Sequence, residues 1–176
     1  MNVAPLTHRV QHTTAHPLFP AIAIAGLGIA LLLGAYAFQY LGGIKPCPLC
    51  LEQRVPWRVL IVIGAGVYGA RALKAPDWVV LALYGLALIV ALWSIYLAGY
   101  HAGVEYKWWP GPKDCSGDVL TLPTDGGVLN GLSSSEIVRC DSVAWSLLGI
   151  SLAGFNFLFS LVAAALAALG AWRGTR

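Results

Sequence analysis

The apolar residues of this chain are gathered into blocks of about 20, the length that spans ~30 Å of hydrocarbon at ~1.5 Å per residue. Four such blocks can be read, at 19–40, 51–70, 78–100 and 143–172. Inside lipid every backbone N–H and C=O must be satisfied within the protein, so segments of this kind become helices. Charged residues make up 11% of the chain, against about 25% in a soluble domain. The expected fold is therefore an all-α membrane protein, a four-transmembrane-helix bundle forming one domain over residues 1–176. The net charge of +3 is too small and too scattered to recruit nucleic acid.

Residues 1–17 are polar and read as a solvated tail between Pro5 and Pro17. His8, His12 and His16 would share one helical face, so a metal site is the competing reading of that tail. The first block ends in Tyr36, Phe38 and Tyr40, an aromatic belt. Ala35-Tyr36-Ala37 has the form of a signal-peptide cleavage site, but the apolar run is longer than the ~7–15 residues of such peptides, which favours a retained helix. Pro56 lies in the second block and should distort its first turns.

Four spans place both termini on one side. That side holds Arg9, Arg71, Lys74, Arg173 and Arg176 against Asp77 alone. The long loop, 101–142, holds Lys107, Lys113 and Arg139 against Glu105, Asp114, Asp118, Asp125, Glu136 and Asp141. The positive-inside rule puts the termini in the cytoplasm and the long second outer loop in the periplasm. Lys45, Arg54 and Arg58 run against the rule, as charges beside a reactive site do.

The four cysteines, Cys47, Cys50, Cys115 and Cys140, all fall on the outer side. An even number in an oxidising compartment reads as two pairs. Cys47-Pro48-Leu49-Cys50 is the local pair, which leaves Cys115 with Cys140. A static loop bond would contribute about 3–4 kcal/mol in the chain-entropy treatment, and that structural reading stays open. Half of a zinc site is a second alternative for Cys47 and Cys50, although zinc usually takes another closely spaced pair. Redox chemistry suits the spacing better, because the bridge is short and a thiol pKa is easily lowered.

Pro46 and Pro48 stop any helix arriving from upstream, so the next helix should begin near Cys50. There a thiolate meets unpaired N–H groups and the positive end of the dipole. Arg54 follows at i+4 on the same face, and Arg58 one turn further; snorkelling to headgroups is the plainer account of Arg58. A thiolate beside a fixed cation at the lipid boundary can reduce an electron-poor, lipid-soluble acceptor and stabilise the charge developing on its oxygen. A membrane quinone is such a molecule.

These features together resemble the disulfide bond formation protein B (DsbB) family, bacterial inner-membrane thiol:quinone oxidoreductases. The resemblance rests on four spans, Lys45-Pro46-Cys47 through Cys50 opening the second helix, Arg54 four residues later, a cysteine pair in the second outer loop, and Tyr100-His101-Ala102-Gly103-Val104-Glu105-Tyr106-Lys107-Trp108-Trp109-Pro110-Gly111-Pro112 ahead of Cys115. It implies a relay. A periplasmic dithiol oxidase of the DsbA type would attack the Cys115–Cys140 disulfide at Cys115. Cys140 would attack Cys47, and Cys50 would pass electrons to ubiquinone or menaquinone. Arg54 would be the quinone-site arginine and His101 a quinone-proximal histidine, an interfacial histidine being the alternative.

Such exchange needs a mobile loop, and Gly117, Thr121, Pro123, Thr124, Asp125, Gly126 and Gly127 supply turn residues. Ser133 and Glu136 have capping-box spacing, which would begin a short helix bearing Ile137 and Val138. Trp108-Trp109-Pro110 reads as an interfacial anchor, a partner-docking surface being the alternative, and Asn156 as an interhelical hydrogen-bonding residue rather than a quinone contact. A vitamin K epoxide reductase-like enzyme is a further alternative, but its loop cysteines should precede the C-x-x-C helix.

Overall fold

The computed structural model describes residues 18–112, 115 and 138–174. The histidines of the tail and the loop's turn and capping-box residues lie outside them; Val138 lies within. Four long helices dominate: α1 (Phe19–Tyr40), α3 (Arg54–Ala72), α4 (Asp77–Glu105) and α5 (Leu152–Gly174), with a single-turn helix α2 (Pro48–Glu52) ahead of α3. Three of them, α1, α4 and α5, are long and apolar enough to cross a membrane. Helix α3 carries Arg54, Arg58 and Arg71.

Helix α1 packs on α3, and α4 on α5; α3–α4 and α1–α5 contacts close the bundle. Ile24, Trp57, Leu60, Ala87, Ala91, Ala163 and Ala167 form its central core. The α1–α3 seam is tight: a Cβ on Gly64 would meet the Ala21 carbonyl, and one on Gly28 would press on Ile61 and the Trp57 carbonyl. Small residues at such crossings let helix backbones approach where lipid removes the hydrophobic drive to associate. The outward faces keep Ile22, Leu33, Val62, Ile89 and Val162 exposed.

Two boundaries differ from expectation and both shape the site. Helix α4 runs on through His101 to Glu105, which moves His101 from the loop into the buried last turns of the helix. It stops where Lys107 takes a positive φ of 62° and the Trp108 N–H donates to the Gly103 carbonyl at 2.8 Å, a Schellman-type ending. The stretch 143–151 is not helical. It holds a small antiparallel hairpin, β1 (Ser146–Leu147) with β2 (Ile150–Ser151), Ser146 opposite Ser151. Leu148 and Gly149 both have positive φ, 53° and 80°, as a two-residue type I′ turn requires. The Tyr106 hydroxyl donates to the Gly149 carbonyl at 2.8 Å and accepts from the Ser151 N–H at 3.2 Å, tying this hairpin to α4. The Ser151 hydroxyl then accepts from the Gly154 N–H at 3.1 Å and caps α5.

Candidate functional site

The dithiol sits on the short helix, and Pro56 explains why that helix is separate. Proline has no N–H to offer the Glu52 carbonyl, and the helix breaks at Gln53, a turn residue between α2 and α3. Helix α2 starts two residues earlier than the proline pattern suggests, with Pro48 in its first turn and Cys47 as its N-cap. It is therefore Cys47 that accepts the capping bond, from the Cys50 N–H at 3.2 Å.

Cys47 and Cys50 are free thiols with sulfurs 2.8 Å apart. Cys47 is buried and Cys50 half-buried. The hydrogen bond between the two sulfurs lowers the Cys50 pKa; this is the largest influence on it, ahead of the more modest pull of the Arg54 charge. The same bond, with burial, pushes Cys47 up. Cys50 is thus the more acidic thiol of the pair.

Cys115 and Cys140 are joined as a disulfide, and the Cys140 N–H donates to the Cys115 carbonyl at 2.8 Å. This disulfide packs in one apolar cluster with Cys47, Leu49 and Val104, flanked by Cys50, Tyr100 and Val138. All four cysteines therefore meet at the end of the bundle where α3 and α5 begin and α4 ends. Asp141, next to Cys140, binds Lys107 at 2.7 Å and Arg139 at 2.8 Å. Arg139 and then Lys107 hold its carboxyl well below the usual carboxylate range.

On its other flank Cys50 opens to a cavity of about 360 Å³ whose wall is mostly apolar: Leu31, Phe38, Ile44, Trp145, Phe155 and Phe159. The polar groups on it are few: Lys45, Gln53, Arg54, His101, Glu105 and Asn156. Arg54 is only 7% exposed. Its Nη1 donates to Gln39 Oε1 at 2.8 Å and its guanidinium lies 4.9 Å from the Tyr36 ring centroid. Arg58 instead reaches the Tyr36 hydroxyl from an exposed position. His101 Nε2 lies 3.6 Å from the Cys47 sulfur and 3.9 Å from Glu105 Oε1. Its Nδ1 is 2.7 Å from Gln53 Nε2. Gln53 Oε1 accepts from Asn156 Nδ2 at 2.6 Å, and Asn156 Oδ1 from the Trp57 indole N–H at 2.7 Å.

The structure thus brings Cys50, Arg54 and His101 around one cavity and sets Cys47, Cys115 and Cys140 behind Cys50. Asn156 bonds between helices, as its position in an apolar run suggests, and also lines the cavity. Gln39, Gln53, Trp57 and Glu105 were not singled out by sequence reasoning. A polar residue in an apolar run was the available signal for Gln39; nothing local marks Gln53, Trp57 or Glu105. Trp109 lies back on α4, donating to the Tyr100 carbonyl at 2.9 Å and stacking on the Tyr100 ring, while Trp108 is exposed.

The model of the family described as disulfide bond formation protein DsbB matches residues 18–170. A disulfide bond formation protein B of Albidiferax ferrireducens is 30% identical over 82% of this chain and 81% of its own. That of Verminephrobacter eiseniae is 32% identical over 84% and 82%, and that of Azoarcus sp. 31% identical over 91% and 93%. No solved structure matches. A buried cysteine pair, a disulfide packed against it and a helical bundle with spans apolar enough for a bilayer are what a membrane protein of disulfide formation needs, and the chain belongs to the disulfide bond formation protein B family.

Proposed function

We propose that this protein reoxidises a periplasmic dithiol oxidase of the DsbA type and passes the electrons to a membrane quinone, acting as a protein-disulfide:quinone oxidoreductase in the bacterial inner membrane. The observation that carries this reading is the position of Cys50. Its sulfur contacts the partner thiol of a dithiol on one side and a largely apolar cavity on the other, with the loop disulfide packed against the same cluster.

The cavity suits the acceptor: aromatic and aliphatic walls with a few convergent polar groups are the usual surroundings of a flat apolar ring bearing carbonyl oxygens. A quinone there supplies a two-electron, two-proton acceptor. The protein's part follows from its own groups. A partner thiolate attacks Cys115, and Cys140 leaves as thiolate. Cys140 then attacks Cys47 of an oxidised Cys47–Cys50 pair, releasing Cys50. The partner's second thiol then attacks the partner–Cys115 bond, so the partner leaves with its own disulfide and Cys115 leaves as thiolate. Cys115 attacks Cys140 of the Cys140–Cys47 bond, which re-forms Cys115–Cys140 and leaves Cys47 and Cys50 as thiols, the state seen here. Cys50, the thiol of the pair that ionises first, faces the acceptor; as its electron pair departs, Cys47 closes the disulfide and gives up its proton. Arg54 and the His101 ring lie where negative charge on an acceptor oxygen would be stabilised.

A fourth span in α3, with both termini cytoplasmic, completes the proposed arrangement. It is supported by helix direction: Arg71, Lys74 and Arg173 cluster at the end opposite the cysteines, the end the positive-inside rule assigns to the cytoplasm. The test is quinone reduction by the purified protein in detergent, supplied with a reduced DsbA-type protein and a short-chain ubiquinone or menaquinone. Turnover that vanishes in Cys50→Ser is expected. No turnover with either quinone, from protein whose disulfides are intact, would leave a membrane protein whose disulfides only staple its loops.

A further inference from the structure

The hydrogen bonds behind the dithiol form a chain whose direction is fixed from one end. An indole N–H can only donate, so the Asn156 oxygen must face Trp57 and its NH₂ must face away. That NH₂ donates to Gln53 Oε1 at 2.6 Å. The Gln53 NH₂ is thereby turned to His101 Nδ1, 2.7 Å away. A nitrogen that receives a donated hydrogen bond is the lone-pair nitrogen of the ring, so the imidazole proton sits on Nε2. Nε2 is the atom facing the Cys47 sulfur at 3.6 Å and the Glu105 carboxylate at 3.9 Å, and the ring also hydrogen-bonds the Cys140 backbone, which can share the proton with the dithiol. Trp57 is 2% exposed, His101 2% and Gln53 7%, which leaves the half-buried Asn156 as the link that water in the cavity can reach.

We propose that Trp57, acting through Asn156 and Gln53, is a positioning residue that locks His101 as the Nε2–H tautomer, presenting a fixed hydrogen-bond donor to the dithiol and the cavity. The lock exists whether or not a quinone is the acceptor; only its use, donation to a thiolate sulfur or to an acceptor oxygen, rests on the function proposed above. Its chemical consequence is that His101 does not serve as a proton-accepting base at Nε2. A second consequence concerns metals. The ligand atoms of Cys47, Cys50 and His101 lie within 4.8 Å of one another, close enough for a shared soft cation. A metal needs the Nε2 lone pair, however, and the Trp57-anchored chain places a proton there. The chain therefore guards a reduced dithiol against zinc.

The test is nitrogen NMR of the full-length protein in detergent micelles, labelled with ¹⁵N-histidine, with His101→Gln used to assign the ring signals. A pyridine-type Nδ1 and pyrrole-type Nε2 are expected in the reduced protein. Gln53→Glu keeps the side-chain shape but offers only acceptors, to Asn156 and to His101, so Nδ1 should become pyrrole-type. Trp57→Phe removes the anchor without touching His101, and the Nδ1 signal should move to an intermediate value as both chain directions are populated. Zinc binding to the reduced protein, read by competition with a chromogenic chelator, should tighten by about 10–100-fold in Gln53→Glu, the size of outer-sphere effects on metal affinity. A pyrrole-type Nδ1 in the wild type, or an Nδ1 signal unmoved by Trp57→Phe, overturns the proposal. Should Trp57→Phe fail to fold, an Nδ1 unmoved by Gln53→Glu does the same. Loss of quinone reduction with the NMR pattern intact would count against the proposed function and not against the lock.

Discussion

Replacing Arg54 with methionine separates two roles that a cation beside a thiol can play. One is to acidify Cys50. The structure makes that role small, because the Arg54 charge ranks behind the Cys47 hydrogen bond among the influences lowering Cys50. The other is to stabilise charge developing on the electron acceptor. There the geometry is favourable: Arg54 is 7% exposed, oriented by Gln39 at 2.8 Å and by the Tyr36 ring, in a largely apolar wall. Loss of one preorganised donor of this kind costs about 2.7–4 kcal/mol, a factor of ~10²–10³ in rate. The assay is stopped-flow mixing of pre-reduced protein with a short-chain ubiquinone, followed by the quinone's ultraviolet absorbance, alongside alkylation of Cys50 by iodoacetamide at fixed pH. Arg54→Met should lower quinone reduction by ~10²–10³ and leave the alkylation rate nearly unchanged. Gln39→Leu, which keeps the charge and frees the side chain, should fall between the two proteins. Equal losses in both assays would refute the reasoning, since Arg54 would then act through the thiolate; so would quinone reduction that does not change.

Cys50, with its pKa lowered chiefly by the hydrogen bond with Cys47, should stay reactive toward iodoacetamide to lower pH than an ordinary thiol. A group whose folded pKa is depressed keeps its ionised form as pH falls, so Cys47→Ala should move the Cys50 alkylation profile upward while Cys47→Ser, which retains a donor, moves it less. Asp141→Asn removes the carboxylate binding Lys107 and Arg139 beside Cys140; exposed pairs are worth up to about 1 kcal/mol, so reduction of Cys115–Cys140 by dithiothreitol should quicken by at most about fivefold. Because that carboxyl lies well below the usual range, the tether holds through mildly acidic pH and is lost only in strong acid. Gly103→Ala would drive a methyl into the Trp109 indole; an overpacked contact costs about 1–3 kcal/mol, seen as a lower unfolding midpoint and a blue-to-red shift of tryptophan emission as Trp109 leaves α4.

Much of this was legible in the chain because membrane helices announce themselves by length and apolarity, and because a C-x-x-C unit followed by Arg54 has few other uses. What was not legible depended on groups that act at a distance in sequence. His101 reads as a loop residue until α4 is seen to continue to Glu105, since Gly103 and the nearby aromatic residues look like an interfacial ending. Val143–Ser151 is apolar enough to pass for helix; only the pair of positive φ angles at Leu148 and Gly149 shows why it turns back. Gln53 takes its meaning from Asn156, 103 residues away, and no spacing rule connects them. The break at Gln53 was half visible: Pro56 marks a distortion, but that it sets the dithiol on its own turn of helix needed the fold.

The burial of Cys115 and Cys140, 4% and 0% exposed, has a consequence for the wiring of the proposed relay. An oxidising disulfide facing a compartment full of small thiols is open to short circuit, with electrons entering from any reductant that can reach sulfur. Shielded by Leu49, Val104, Tyr100 and Val138, this one is insulated. Exchange requires access to sulfur, so a thiol gains entry only by capturing an open arrangement, and its apparent affinity is reduced by the fraction of time that arrangement exists. A folded partner can offset that penalty with contacts across a broad surface, whereas a free tripeptide thiol cannot. Selectivity for a protein reductant is then set by the cover over the terminal as much as by the potential of the bond beneath it.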